Sequence, residues 1–251
     1  MKLRILIASA VLSVLACGAS ACGAQPQIKV LAQFAVQGPL EDLESQMAAH
    51  ATLPVNTELA FRVKLLERLS KGEAADIAIM TTAAIQELAA KGLVRMQRDL
   101  LVSEVGVAVA ANARAPTLKT TADFVAFLRA TPSIAYPVSS PPGAHMVKLL
   151  AQLGLTSIVE PKATVVDEAL MGGLVRDGKV AAAVLLVSEL KFQGAPNTVP
   201  LPDEIQLRTP MSIAVLKSSA HEKDAAAVVQ LLTSPEAAAV YRRWGLPPSF
   251  N

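Results

Sequence analysis

"RLSKGEAADIAIMTTAAIQELAAKGLV", residues 68–94, decides the fold class. Its middle, "ADIAIM" (75–80), is a short apolar run bounded by polar residues, the pattern of a buried strand. "TTAAIQELAAKG" (81–92) follows at once, with threonine at its start and Gly92 at its end, the start and stop signals of a helix. A strand that feeds directly into a helix belongs to a chain that alternates the two. The flanking sequence continues that alternation. Upstream, "IKVLAQF" (28–34) reads as an apolar strand, and Gly38 and Pro39 mark a loop. Leu40, Leu43 and Met47 then mark a helix at spacings of three and four. "VNTELAF" (55–61) alternates, with Val55, Thr57, Leu59 and Phe61 on one face, and Val63, Leu66 and Leu69 mark the next helix, which stops near Gly72.

Downstream the style repeats. "VGVAVAA" (105–111), "SIAYPV" (133–138), "KVAAAVLLV" (179–187) and "MSIAVL" (211–216) read as strands. "TTADFVAFL" (120–128), "AHMVKLLAQLGL" (144–155) and segments around 222–232 and 235–243 read as helices. The alternation predicts an α/β protein with a mostly parallel sheet and helices on both faces.

Composition narrows the class. The chain has 251 residues, 52% hydrophobic and 18% charged, which excludes a disordered chain. Aromatics are only 4%, too few for a stacking platform on nucleic acid. Lys2 and Arg4 precede an uncharged, mostly apolar run, Ile5 to Ala16, followed by Gly18, Ala19, Ser20 and Ala21. This is the pattern of a secretory signal over residues 1–24, and the run is too short to span a bilayer. Of 23 Lys plus Arg, the signal holds two, which leaves 21 against 21 Asp plus Glu. A near-neutral mature chain with scattered basic residues gives no reason to expect nucleic acid. Cys17 and Cys22, the only cysteines, both lie in the export segment, so the mature chain offers no thiol chemistry. "ASAC", Ala19 to Cys22, resembles a lipobox, in which Cys22 would carry a lipid anchor; simple cleavage after Ala21 or Ala24 is the alternative. Either route leads to the periplasm or the outer face of the cell envelope, with the membrane touched only through such an anchor.

In open α/β sheets ligands sit at the carboxyl ends of strands, where helix N-termini converge. The junctions therefore supply the candidate site. In "VSSPPGAHMVKLL" (138–150), Ser140 can cap a helix and Pro141 fits its first position, where a missing N–H costs nothing. Ser139 adds a hydroxyl, and Gly143 would let a ligand approach the backbone. Unpaired N–H groups plus roughly half a positive charge at such an end favour an anion, although a plain cap has the same residues. Phe34 and Ala35, with Gln33 beside them, follow the first strand; Arg62 follows "LAF"; Thr81 and Thr82 follow "AIM"; Ser188 follows "VLLV". Arginine can clasp a carboxylate or an oxyanion through two parallel hydrogen bonds, or it can pair with a neighbouring acid such as Glu58 or Glu67.

The order of these features resembles the type 2 periplasmic solute-binding proteins of the molybdate-binding kind. "RLSKGEAADIAIMTTAAIQELAAKGLV" is similar to that family's strand-helix signature, and "TSPEAAAVYRRWGL" (233–246) to its C-terminal helix. The resemblance implies two α/β lobes, 25–109 with 211–251 and 110–210, joined by a hinge of two crossing strands. It also implies a ligand in the cleft, an ABC transporter permease as partner, a monomer, and no cofactor. The binding residues depart from the molybdate pattern. "AQFAVQG" lacks serines at the first junction, Arg62 stands in or near the second, and Leu186 or Val187 replaces a tyrosine at the late strand. An organic carboxylate fits an arginine better than molybdate does.

One branch resembling this family contains aconitate isomerases, and "VGVAVAANA" (105–113) and "YPVSSPPGAHMVKLLAQLGL" (136–155) are similar to it in style. Such a reaction needs a positioned base. His145 is the candidate, with Asp167, Glu168 and Glu189 behind it; a surface histidine at a helix start is the plainer alternative. His50, His145 and His221 show no metal-ligand spacing, so no metal is expected, and no GxSxG, P-loop or GxGxxG fingerprint occurs.

Overall fold

The structure is a computed structural model that describes residues 25–138, 140–166 and 171–250. The export segment with Cys17 and Cys22, and the candidate ligand residues Ser139 and Asp167, lie outside the described residues, as does Glu168.

β1 (Ile28–Ala32), β2 (Val55–Leu59) and β3 (Ile77–Thr81) form a parallel group with β1 in the middle. Ile28, Val30, Leu31 and Ala32 of β1 are all buried, as are Ile77 to Met80 of β3. Strands covered on both faces are largely apolar, which is why these two read as near-continuous runs, broken in β1 by the half-buried Lys29. β2 forms the sheet's edge and alternates. The helices between them are α1 (Gln37–Asp42), α2 (Glu44–His50), α3 (Arg62–Ser70) and α4 (Thr82–Ala90). Thr81 caps α4 by accepting from the Ala84 N–H at 3.4 Å, and Gly92 adopts φ +74°, a left-handed turn that suits glycine.

The long strand β4 (Val94–Val109) leaves this group and joins a second one. Its first part pairs antiparallel with β9 (Arg208–Leu216); its last part pairs with β7 (Ala182–Leu186) and β8 (Thr198–Pro200). β5 (Ile134–Tyr136) runs parallel to both β7 and β6 (Ala163–Val165). The order is β2-β1-β3-β9-β4-β7-β5-β6, with β8 also on β4. The sheet is therefore mixed: the two outer groups are parallel, and the joining strands are antiparallel.

Three strands differ from the sequence expectation. β4 begins at Val94 and not at Val105. Register shifts between Val94 and Met96 and between Asp99 and Leu101 interrupt the two-residue alternation, so the segment does not look like a strand. β6 and β8 were not anticipated; each has only three residues, too few to show a pattern.

The helices of the second group are α5 (Thr121–Ala130), α6 (Pro141–Gln152), α7 (Thr156–Val159), α8 (Met171–Arg176) and α9 (Val187–Phe192). α10 (Glu222–Leu232) and α11 (Pro235–Arg243) return to the first group. α11 starts as "TSPEAAAVYRRWGL" suggests: Ser234 caps it, Pro235 takes the first position, and Tyr241 is buried with its hydroxyl donating to the Leu232 carbonyl at 2.8 Å. The apolar core divides in the same way as the sheet. Residues of β1, β3 and β9 pack with α1, α2, α10 and α11, while Val105, Val107 and Val109 pack with α5, α6 and β5. Leu186 packs against both clusters and marks the seam.

The signature stretch also builds an ion network at the edge of the first group. Arg68 donates through Nε and Nη2 to the two oxygens of Glu73, at 2.7 and 2.6 Å. Lys29 reaches Glu73 at 2.8 Å and Glu58 at 3.1 Å, and Arg68 also binds Glu58. Bonding from Arg68, then from Lys29, holds the Glu73 carboxyl down to about 2. A depressed carboxyl contributes stability in full above the ordinary range near 4.3, and that contribution is lost as the pH falls through the folded value. Glu73→Gln should thus cost about 1 kcal/mol at pH 7. The difference from wild type should shrink as the pH approaches 2. Denaturant melts at a series of pH values check this; a pH-independent difference would mean that packing and not charge is lost.

Candidate functional site

A cavity of about 540 Å³ opens between the two groups. Every wall is a strand end or a crossing strand. Phe34 and Ala35 follow β1; Ala60, Phe61, Arg62 and Val63 follow β2; Thr81 ends β3. Ser140, Pro141 and Pro142 follow β5, and Leu186 and Glu189 come from the β7–α9 junction. Ser103 on β4, Leu207 just before β9, and Thr209 and Met211 on β9 close it from the crossing strands.

Arg62 is the first residue of α3 and is exposed. Both acids near it in sequence are engaged elsewhere: Glu58 with Lys29 and Arg68, Glu67 with Lys64 and Lys71. Among the described residues Arg62 makes no ion pair. Its guanidinium is a fixed positive charge on the cavity wall. Phe61, 54% exposed, packs on Phe34 with ring centroids 4.9 Å apart and planes tilted by 58°, and Val63 is 69% exposed. The wall beside the charge is therefore apolar and aromatic.

Three helices of nine residues or more begin at the cavity: α3 at Arg62, α4 after its cap Thr81, and α6 after its cap Ser140. Ser140 accepts from the Gly143 N–H at 3.4 Å, and Pro141 occupies the first helical position. Each start brings unpaired N–H groups and the positive end of a dipole. Gln33 accepts from the Thr81 N–H at 2.6 Å, which leaves its amide NH2 as the end able to donate. Ser103 donates to the Thr209 carbonyl at 3.3 Å across the paired strands. The sum is a concave, mostly apolar site with one arginine, one glutamate and several hydroxyls. Among the described residues no group of three His, Cys, Asp or Glu is placed to hold a metal ion.

Of the residues read from the sequence, the structure brings Phe34, Ala35, Arg62, Thr81 and Ser140 together around the cavity. Thr82, Gly143, His145 and Ser188 do not line it. The Thr82 hydroxyl lies 2.8 Å from that of Ser212. A Cβ on Gly143 would stand 1.8 Å from the Pro137 carbonyl oxygen, so the close approach there is made by the chain itself and not by a ligand. His145 places Nε2 at 2.7 Å from the Ile205 carbonyl, which ties α6 to the turn before β9. Ser188 is buried in α9, and its hydroxyl has no partner among the described residues.

The lining residues that sequence reasoning does not single out for the site include Ala60, Phe61, Val63, Ser103, Pro142, Leu207, Thr209 and Met211, besides Gln33 and Glu189. Ser103 and Thr209 face each other in register on β4 and β9. The only local signal was a hydroxyl on each of two strands, and their pairing joins positions 106 residues apart.

A model of the bacterial extracellular solute-binding protein family matches residues 28–246. The chain belongs to that family. An aconitate isomerase from a Pseudomonas species is 30% identical over 185 residues, covering 72% of this chain and 70% of the relative. Among solved structures, the periplasmic molybdate-binding protein of Azotobacter vinelandii superposes with a TM-score of 0.69 at 15% identity, covering 87% of this chain and 98% of the other. Iron-bound HitA of Pseudomonas aeruginosa gives 0.63 at 14% identity, with 90% and 87% covered. The spermidine/putrescine ABC transporter substrate-binding protein PotD of Streptococcus pneumoniae gives 0.61 at 13% identity, with 87% and 81% covered. At these identities the likeness is one of fold, the two-lobed type 2 periplasmic binding protein. These three proteins are named for an oxyanion, a bound metal and polyamines, so this fold leaves the charge of the ligand to the residues at the cavity.

Proposed function

We propose that this protein captures a small organic anion in the cavity and delivers it to an ABC importer in the cell envelope. The observation that carries the proposal is Arg62: a guanidinium with no acidic partner among the described residues, at a helix start, where two further helix starts meet it. The aromatic and aliphatic wall of Phe34, Phe61, Val63, Leu186 and Met211 supports an organic body over an inorganic oxyanion such as molybdate. The lobes would be 25–109 with 211–251 and 110–210, with β4 and β9 as the crossing strands, and the mature chain would act as a periplasmic or envelope-anchored monomer without a cofactor.

A thermal-shift screen of the mature chain against molybdate, tungstate, sulfate, phosphate, citrate, cis- and trans-aconitate, malate and amino acids tests the reading. A ligand at one hundred times its Kd adds about 2.7 kcal/mol of stability. Stabilisation by organic carboxylates is expected; stabilisation by molybdate or tungstate alone would contradict it.

The aconitate isomerase relative favours a second reading, an isomerase that interconverts cis- and trans-aconitate by proton transfer on the same scaffold. On that reading His145, held by the Ile205 carbonyl and absent from the cavity lining, is badly placed to act as the base. His145→Ala should leave any turnover within about threefold, the residual loss reflecting local loosening, and should cost about 1 kcal/mol of stability from the lost hydrogen bond. Following conversion of cis-aconitate by the wild type and the variant checks both points; a loss of turnover of a hundredfold or more would put the histidine at the reacting atoms.

A further inference from the structure

Arg62 shares the cavity lining with one side chain of opposite charge. Among the described lining residues the charged side chains are Arg62, on α3 of the first group, and Glu189, on α9 of the second. They have opposite sign and come from different strand-to-helix junctions.

Glu189 is built in by its helix. α9 is only six residues long, but its backbone is clamped. Val187 is buried against positions that only glycine can fill: a Cβ on Gly106 would lie 2.6 Å from Val187 Cγ2, and one on Gly245 would lie 2.5 Å from Val187 Cγ1. Leu190 is fully buried, and at the far end a Cβ on Gly172 would meet the Gln193 Cβ at 2.4 Å. Three close approaches of backbone to side chain fix the helix, and with it the direction in which residue 189 leaves it.

A carboxylate in the wall of an anion site has a chemical consequence. A ligand that filled the cavity with two or three carboxylates would set one of them against Glu189 with no second cation among the described lining residues to offset it. A ligand with a single carboxylate at Arg62 and a hydrogen-bond donor at Glu189 satisfies both side chains. A carboxylate has about four lone-pair sites, so Glu189 can accept from such a donor alongside a protein partner.

Resting on the proposed capture of an organic anion, we infer that Glu189 is a specificity-determining residue and that the ligand is a monocarboxylate bearing a hydroxyl or ammonium donor. The apolar lining by Phe34, Phe61, Leu186 and Met211 suits a ligand with an aliphatic or aromatic body. A site that reads a donor also binds the analogue lacking it less tightly, because the contact to Glu189 is then not made.

The test is calorimetric titration of the mature protein with matched acids. Leucine, 2-hydroxy-4-methylpentanoate and 4-methylpentanoate place an ammonium, a hydroxyl or nothing beside the carboxylate; 4-aminobutyrate, 4-hydroxybutyrate and butyrate place the same groups at the far end. In at least one set a donor-bearing acid should bind tenfold or more tightly than the bare acid, and the two donors tell an amino acid site from a hydroxy acid site. In Glu189→Gln that ratio should fall below about threefold, with thermal melts confirming the fold and Glu189→Ala as a second variant. An unchanged ratio in both variants would overturn the inference. So would trans-aconitate, citrate or molybdate binding more tightly than every monocarboxylate. If that tighter binding still needs Arg62, the proposed anion capture stands and only the role of Glu189 falls. If binding of the best ligand ignores Arg62→Ala, the proposed site itself fails.

Discussion

Arg62→Ala should weaken binding of the carboxylate ligand at least tenfold, about 1.4 kcal/mol. Charge-assisted hydrogen bonds to a guanidinium contribute roughly 1.5–3 kcal/mol, and Arg62 is not spending that capacity on Glu58 or Glu67, both of which are paired elsewhere. The side chain is exposed at the start of α3, so its loss should leave the melting temperature of the unliganded protein almost unchanged. Arg62→Lys separates two contributions. It keeps the charge and loses the planar fork, and affinity should fall between those of wild type and alanine. Titration calorimetry on the three proteins reads all of this directly. Equal affinities in all three would place the anion away from α3.

Gly143→Ala should be among the most damaging single-methyl changes in the molecule. The added Cβ would stand 1.8 Å from the Pro137 oxygen and 2.4 Å from its carbonyl carbon, and both are backbone atoms that no rotamer change can move aside. Overpacking against mobile side chains typically costs 1–3 kcal/mol; against backbone the upper end, about 3 kcal/mol, is expected. For a chain of this size that lowers the melting temperature by roughly 6–12 °C. The change should also reach the ligand. The segment that must retreat from the new methyl leads into Ser140, the α6 cap that lines the cavity. Ligand-induced stabilisation should therefore shrink along with the intrinsic stability. A variant that melts within about 1 °C of wild type would show that Pro137 and the first turn of α6 are more yielding than their packing implies.

The two outcomes depend on different kinds of legibility. Arg62 could be found from sequence because a charge directly after an apolar strand in an α/β chain falls at the strand's carboxyl end. The same reasoning placed Phe34, Ala35, Thr81 and Ser140 at the cavity. It also reached one or a few residues too far along the helices. Thr82 sits next to Thr81 yet bonds to Ser212, and His145 lies in the second turn of α6 facing Ile205. Successive helical residues point about 100° apart, so a window of sequence identifies the junction without saying which of its side chains face inward. Gly143 shows a related ambiguity. A glycine at a helix start marks a close approach, but what approaches is decided by Pro137, six residues back.

Strands followed a similar division. β1 and β3 were readable because burial on both faces demands largely apolar runs, and the polar Asp76 just before β3 has a structural duty. Its carboxylate accepts from the Lys29 N–H at 2.8 Å and from the Ser219 hydroxyl at 2.6 Å, joining three segments at the start of β3. The first part of β4 was unreadable because its register shifts scramble the alternation. Ser103 and Thr209 were hidden with it, since their place at the cavity depends on β4 pairing with β9 across the length of the second group. Local pattern thus revealed the junctions, and long-range pairing determined the rest of the walls.

The most direct test of anion capture at Arg62 is a crystal structure of the mature protein with the best carboxylate from the thermal-shift screen. The carboxylate is expected within hydrogen-bond distance of the Arg62 guanidinium, with the body of the ligand against Phe34 and Phe61. A ligand bound outside this cavity, or inside it with its carboxylate turned away from Arg62, would contradict it.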